Sequence, residues 1–110
     1  TTVRRDGAVT MTVTSNSSDG YSVTVLARSS ELTAVQSGQT FTIPIGNLRV
    51  RESGTQEFSP LSSTVPVLIH RQSDASGPGG DAIGNDYEVD IPFVPAAGYS
   101  VTLDYIATTD

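Results

Sequence analysis

Apolar residues alternate with hydroxyl residues along most of this chain, and that period of two limits its fold more than any other feature. In "AVTMTVTSNSSDGYSVTVLA", Ala8 to Ala27, Val9, Met11 and Val13 alternate with Thr10, Thr12 and Thr14. Beyond a polar gap ending in Gly20, Tyr21, Val23 and Val25 alternate with Ser22 and Thr24. Successive side chains of an extended strand point to opposite faces, so each run reads as a half-buried strand. "SNSSDG" is too long for a two-residue turn and suits a longer hairpin loop. The two runs are therefore expected to form one antiparallel ribbon.

The pattern recurs down the chain. "QTFTIPI" places Phe41, Ile43 and Ile45 on one face, and Pro44 suggests an edge or a strand end. "NLRVRE" turns Leu48 and Val50 inward between Arg49 and Arg51, and "STVPVLIHR" offers Val65, Val67 and Ile69. "DYEVDIPFV" gives Tyr87, Val89, Ile91 and Phe93, and "GYSVTLDYIA" gives Tyr99, Val101, Leu103 and Tyr105, with "PAAG" as a hairpin connection between them. Only Ser29 to Gly38 offers a candidate helical turn. About seven short strands with Gly and Pro punctuation predict an all-β chain, a single antiparallel β-sandwich of immunoglobulin-like type. The polar residues 1–7 form an N-terminal arm on this reading, and residues 8–110 the sandwich.

At 110 residues there is room for one domain. Such a domain buries roughly two-thirds of its unfolded surface, enough for a core without staples. Only 16% of residues are charged, so the surface is built largely of Ser, Thr, Asn, Gln and Gly, as in many extracellular β-proteins. There is no cysteine, which removes disulfides, thiolate metal sites and thiol nucleophiles. All six basic residues are Arg, so Schiff-base chemistry and P-loops are absent as well. A net charge of -6 disfavours nucleic acid and anionic membrane as partners. No apolar run approaches the roughly 20 residues of a membrane span. No signal peptide opens the sequence, which suits a mature form or a piece of something larger.

Charge divides unevenly. Residues 1–73 hold six Arg against five acids, whereas residues 74–110 hold seven acids and no base. Head-to-tail contact between an Arg-bearing surface and an acidic one would use that imbalance. Arg4, Arg5, Arg49, Arg51 and Asp90 are the residues expected to carry it.

Gln72 to Asp86, "QSDASGPGGDAIGND", breaks the alternation and reads as a long loop. Asp74, Asp81 and Asp86 are its candidate calcium ligands, with Asn85 and Glu88 as further hard oxygens, although the spacing fits no EF-hand. Acidic, Gly-rich loops are more often plain turns. His70 is the single histidine and is expected at a strand end on the rim. One imidazole cannot build a metal site, and no Gly-x-Ser-x-Gly accompanies it. Glu88 and Asp90 share a strand face, but glycoside hydrolysis needs a cleft lined with stacking aromatics, and the chain has no Trp. No catalytic residue is assigned, and no cofactor beyond the calcium candidate.

"SNSSDGYSVTVLA", "FTIPIGNLRV", "FSPLSS" and "YEVDIPFVPAAGYSVTLDYIATT" together resemble modules of secreted bacterial cell-surface proteins. The likeness is to immunoglobulin-like β-sandwich domains related to the WxL type, with Ala97-Gly98-Tyr99 and Leu103-x-Tyr105-x-Ala107 as the closest part. The Trp-x-Leu motif itself is missing, so peptidoglycan attachment is not implied. The resemblance implies an extracellular scaffold role at the bacterial surface. Two functions follow as expectations: a structural subunit of a filament, pilus or stalk, joined to copies of itself or to neighbouring modules through edge strands and Arg/acid contacts, or a surface module that binds glycan, protein or calcium through loop 72–86. If a strand is exchanged, Ala8 to Thr14 or the C-terminal strand is the one expected to take part.

Overall fold

The computed structural model describes residues 2–91 and 98–109. They form an all-β chain of nine strands: β1 (Thr2–Val13), β2 (Tyr21–Ala27), β3 (Glu31–Gln36), β4 (Gln39–Pro44), β5 (Leu48–Glu52), β6 (Ser59–Pro60), β7 (Val67–Gln72), β8 (Asp81–Asp90) and β9 (Leu103–Thr109). A single 3-10 turn, Ile45–Asn47, joins β4 to β5. One antiparallel sheet runs β1-β8-β5-β6, a second β7-β2-β9, and β3-β4 is a separate hairpin.

Alternation built the central strand as expected. Along β2, Tyr21, Val23, Val25 and Ala27 are buried while Ser22, Thr24 and Leu26 are half-buried on the other face. They meet Val50 and Ile83 of the first sheet, Ile69 of β7, Leu32 and Ile43 of the hairpin, and Leu61 in one apolar cluster. This cluster lies between the sheets and makes the molecule a β-sandwich. Fully burying a Val or Ile side chain contributes about 1.5–3 kcal/mol, so a handful of such residues sustains the fold.

Several expectations are corrected. β1 and β2 do not pair with one another: among the described residues β1 pairs only with β8, and β2 lies between β7 and β9 in the other sheet. Residues 14–20 are thus a crossover between sheets, not a hairpin loop. β8 and β9 likewise belong to different sheets, so no hairpin links them; Phe93 and most of "PAAG" lie outside the described residues. Ser29 to Gly38 is strand β3 and its turn rather than helix, because its in-phase Leu32 and Ala34 reach the core. Val65, expected inward, is 63% exposed ahead of β7. The loop before β8 is half its expected length, since Asp81 through Asp86 are already strand.

Two glycines carry the crossover and the first strand. Gly20 adopts φ 91°, and a Cβ there would stand 1.9 Å from the carbonyl oxygen of Gln72, so only glycine fits where the two segments cross. Gly7 adopts φ 62° inside an irregularity of β1, where Arg5 is in register with Tyr87 but Val9 with Asn85. Two extra residues are accommodated there as a bulge. Residues 2–7, expected as an arm, are exposed and, Val3 apart, polar, yet they belong to β1: Thr2 to Arg5 run opposite Asp90 to Tyr87.

The long axis measures 52 Å against 23 and 21 Å across. No helix among the described residues is long and apolar enough to cross a membrane.

Candidate assembly surface

The outer face of the first sheet gathers most of the charges singled out in the sequence. Register places Arg4, Glu88 and Arg49 in one row across β1, β8 and β5. Glu88 accepts from Arg4 at 3.0 Å on one oxygen and from Arg49 Nε at 3.0 Å on the other. Arg49 also donates to Asp90 at 2.6 Å, and Asp90 accepts from the Thr2 hydroxyl at 2.6 Å. Hydrogen bonds from Arg49 and Arg4 lower the Glu88 carboxyl, and those from Arg49 and Thr2 hold Asp90 well below the usual carboxylate range.

One row on, Asp86 is 3% exposed beneath the bulge of β1. Its Oδ1 accepts from the Gly7 amide and the Ser53 hydroxyl, each at 2.7 Å, and its Oδ2 accepts from Arg51 at 2.7 Å. The Gly7 amide first, then Arg51 and Ser53, bring its pKa down to about 2. Arg51 reaches Asp6 at 3.5 Å as well. The Phe58 ring lies under two guanidinium groups, with Arg51 at 4.4 Å and Arg4 at 5.1 Å from its centroid. Both are cation–π distances.

Arg4, Arg28, Arg49 and Arg51 thus meet carboxylates of the same chain. Arg4, Arg49, Arg51 and Asp90, expected to face a neighbouring molecule, meet carboxylates or Arg of their own sheet because β1 and β5 flank β8. Arg5 lies in register with Tyr87, on the opposite face of β1 from Arg4, and is exposed.

The calcium candidates are not brought together. Asp86 is engaged as described, and Asp81, five residues earlier on β8, accepts from the Tyr21 hydroxyl at 2.6 Å and the Gly77 amide at 3.1 Å. Five residues of strand span about 16 Å. Asp74 is exposed on the preceding loop. Among the described residues no three His, Asp or Glu side chains are placed to hold a metal. The loop itself is tied down: Ser76 and Ser15 exchange hydrogen bonds of 2.8 to 3.0 Å between the loop and the crossover. His70 is half-buried and faces the space between the sheets rather than standing on the rim.

The C-terminal strand, one of the two that the sequence offers for strand exchange, lies at an edge of the second sheet. Among the described residues β9 pairs only with β2. Its sequence "LDYIATT" carries one charge, Asp104, which is paired with Arg28 at 2.9 Å. It has no proline, and its pairing with β2 runs through seven consecutive residues without a bulge. Ile106 is 50% exposed and stands in a row with Thr24 and Leu68, itself 53% exposed, on the outer face. Tyr105 turns the other way and bonds the Tyr87 hydroxyl across the sandwich, which ties β9 to the first sheet. Burial first, then that bond, pushes the Tyr87 hydroxyl well above its ordinary value. The sequence offered this low-charge strand and Ala8 to Thr14 as alternatives, and only the sheet order separates the two.

No protein-family model, no curated protein and no solved structure matches this chain.

Proposed function

We propose that this chain is a non-catalytic structural module of a bacterial extracellular surface structure, a filament, pilus or stalk, and that it associates by strand addition at β9. The observation that carries this reading is the bare edge over Leu103–Thr109. Soluble proteins blunt sheet edges with charge, proline or bulges, and among the described residues this edge has an unpaired backbone row with none of these along most of its length. Strand addition takes its affinity from main-chain hydrogen bonds and its specificity from alternate side chains, here led by Ile106. The partner is another copy or a neighbouring module of the same surface structure. A hydroxyl-rich surface, an elongated sandwich and the likeness of its short motifs to secreted surface modules support the setting.

Negative-stain electron microscopy across a concentration series, at low and high salt, tests this reading. Because the Arg and carboxylate groups are paired internally, assembly through backbone hydrogen bonds is expected to survive high salt. Filaments or oligomers that grow with concentration and persist in salt are the expected result. Particles that stay monomeric at every concentration would overturn it.

A further inference from the structure

Two hydrogen-bond acceptors close on the ring of His70 from opposite sides. Nδ1 lies 2.8 Å from Glu52 Oε2, and Nε2 lies 2.8 Å from Gln72 Oε1. A neutral imidazole has one N–H and can serve only one of them, whereas the imidazolium serves both. Turning the Gln72 amide over would remove the demand, but its other end is already committed. Gln72 Nε2 donates to the carbonyl oxygens of Asp74 at 3.1 Å and Ala75 at 3.2 Å. Reversed, the amide oxygen would face two acceptors. The loop thus fixes the amide, and the amide together with the carboxylate fixes the proton count of the ring.

We propose that His70 is an imidazolium in the folded protein and that its second proton pins a pH-sensitive clasp joining β5, β7 and the 73–76 segment. This inference is independent of the assembly reading above. The groups around the ring agree in sign. β5 contributes Glu52, β8 contributes the Asp81 carboxylate, and β2 contributes Tyr21, whose ring centroid is 5.5 Å away and whose hydroxyl donates to Asp81. β7 contributes Gln72, while its Arg71 is in register with Ser22 on the exposed outer side. Burial alone would lower the pKa of His70, but the bonds to Gln72 and Glu52 and the charges of Glu52 and Asp81 together raise it above 6.5.

The sign of the switch follows. A histidine raised in the folded state contributes stability that is fully present below its unfolded pKa and is lost as pH climbs through the folded one. Once neutral, the ring turns a lone pair toward Glu52 or toward Gln72 Oε1. In the second case the amide is repelled and its hold on Asp74 and Ala75 weakens, leaving the Ser15–Ser76 bonds as the anchor of the segment.

Because His70 is the chain's only histidine, its ring resonance in an NMR titration is unambiguous. Over a range from about pH 5 to about pH 9, the midpoint of His70 is expected above 6.5, with the amides of Asp74 and Ala75 shifting at the same midpoint. Glu52→Gln is expected to move the midpoint down. Gln72→Leu is expected to leave the ring titrating while the loop amides no longer follow it. A wild-type midpoint at or below 6.5, or loop amides that show no step at that midpoint, would overturn the proposal. The wild-type titration decides the matter even where a variant fails to fold.

Discussion

Two of the edge strands of this sandwich, β1 and β9, are built in opposite ways. β1 carries Arg4, Arg5 and Asp6 in its first half and breaks its register at the Gly7 bulge. β9 carries one charge, keeps an unbroken register and leaves Ile106 half exposed. Both are antiparallel edges of sheets that share a core, so the difference lies in side chains and not in topology. Charge and a bulge discourage a further strand, and their absence permits one. Of this pair one edge is guarded and the other open, which in the assembly proposed above would give association a direction.

The largest effect on that comparison is expected from the carboxylate that holds the guarded edge together. Asp86→Ala leaves the Gly7 amide without its acceptor and Arg51 without its buried partner, which we expect to cost about 3 kcal/mol in chemical denaturation. The same group sets an acid limit. Its pKa falls from 3.8 to about 2 on folding. Its contribution is thus present above the unfolded value and disappears as pH falls from about 4 toward 2. A denaturation midpoint that is flat over that interval would show that Asp86 does not anchor the bulge.

Next in size is the open edge. Ile106→Lys places a charge where β9 has none, and association should weaken by about tenfold or more, about 1.4 kcal/mol. Stability should change little, because residue 106 faces outward. Analytical ultracentrifugation gives the first quantity and thermal melting the second. Unchanged association would move the contact away from β9.

Asn85 offers a smaller and opposite change. It is fully buried in register with Val9 and Glu52, and neither of its side-chain polar atoms has a hydrogen-bond partner among the described residues. Removing an unsatisfied polar group recovers its desolvation cost, so Asn85→Leu should stabilise the fold by about 1 kcal/mol. A destabilised variant would show that the amide is satisfied in solution.

The smallest effect belongs to the exposed ladder. Arg4→Ala removes one surface ion pair and one cation over Phe58, and should cost less than about 0.5 kcal/mol. Its informative readout is association: if charge guards β1, the variant should associate slightly more readily than wild type.

Much of this fold was legible because alternation survives wherever one strand face meets the core. β2 shows it most plainly, and the inward turn of Leu48, Val50, Ile69 and Tyr87 followed from it. Pairing was not legible. The Ala8–Ala27 stretch looks like a hairpin because its halves are adjacent in sequence, yet the two strands enter opposite sheets. Local pattern records which face is apolar, while partner choice depends on contacts far along the chain. Arg4, Arg49, Arg51 and Asp90 meet partners within the chain because β8 lies between β1 and β5, an arrangement that no local pattern records. The calcium candidates failed for a related reason: Asp81 and Asp86 were read as loop residues, and a strand holds them apart. The His70 clasp was hidden because Glu52 and Gln72 gain meaning only when β5 and β7 face each other.

Residue-resolved hydrogen exchange on the wild-type chain at rising protein concentration tests the central claim most directly. Amides of β9 are predicted to gain protection with concentration while those of β1 and β2 keep their dilute values. Exchange at β9 that does not change with concentration, or a gain confined to β1, would contradict the account.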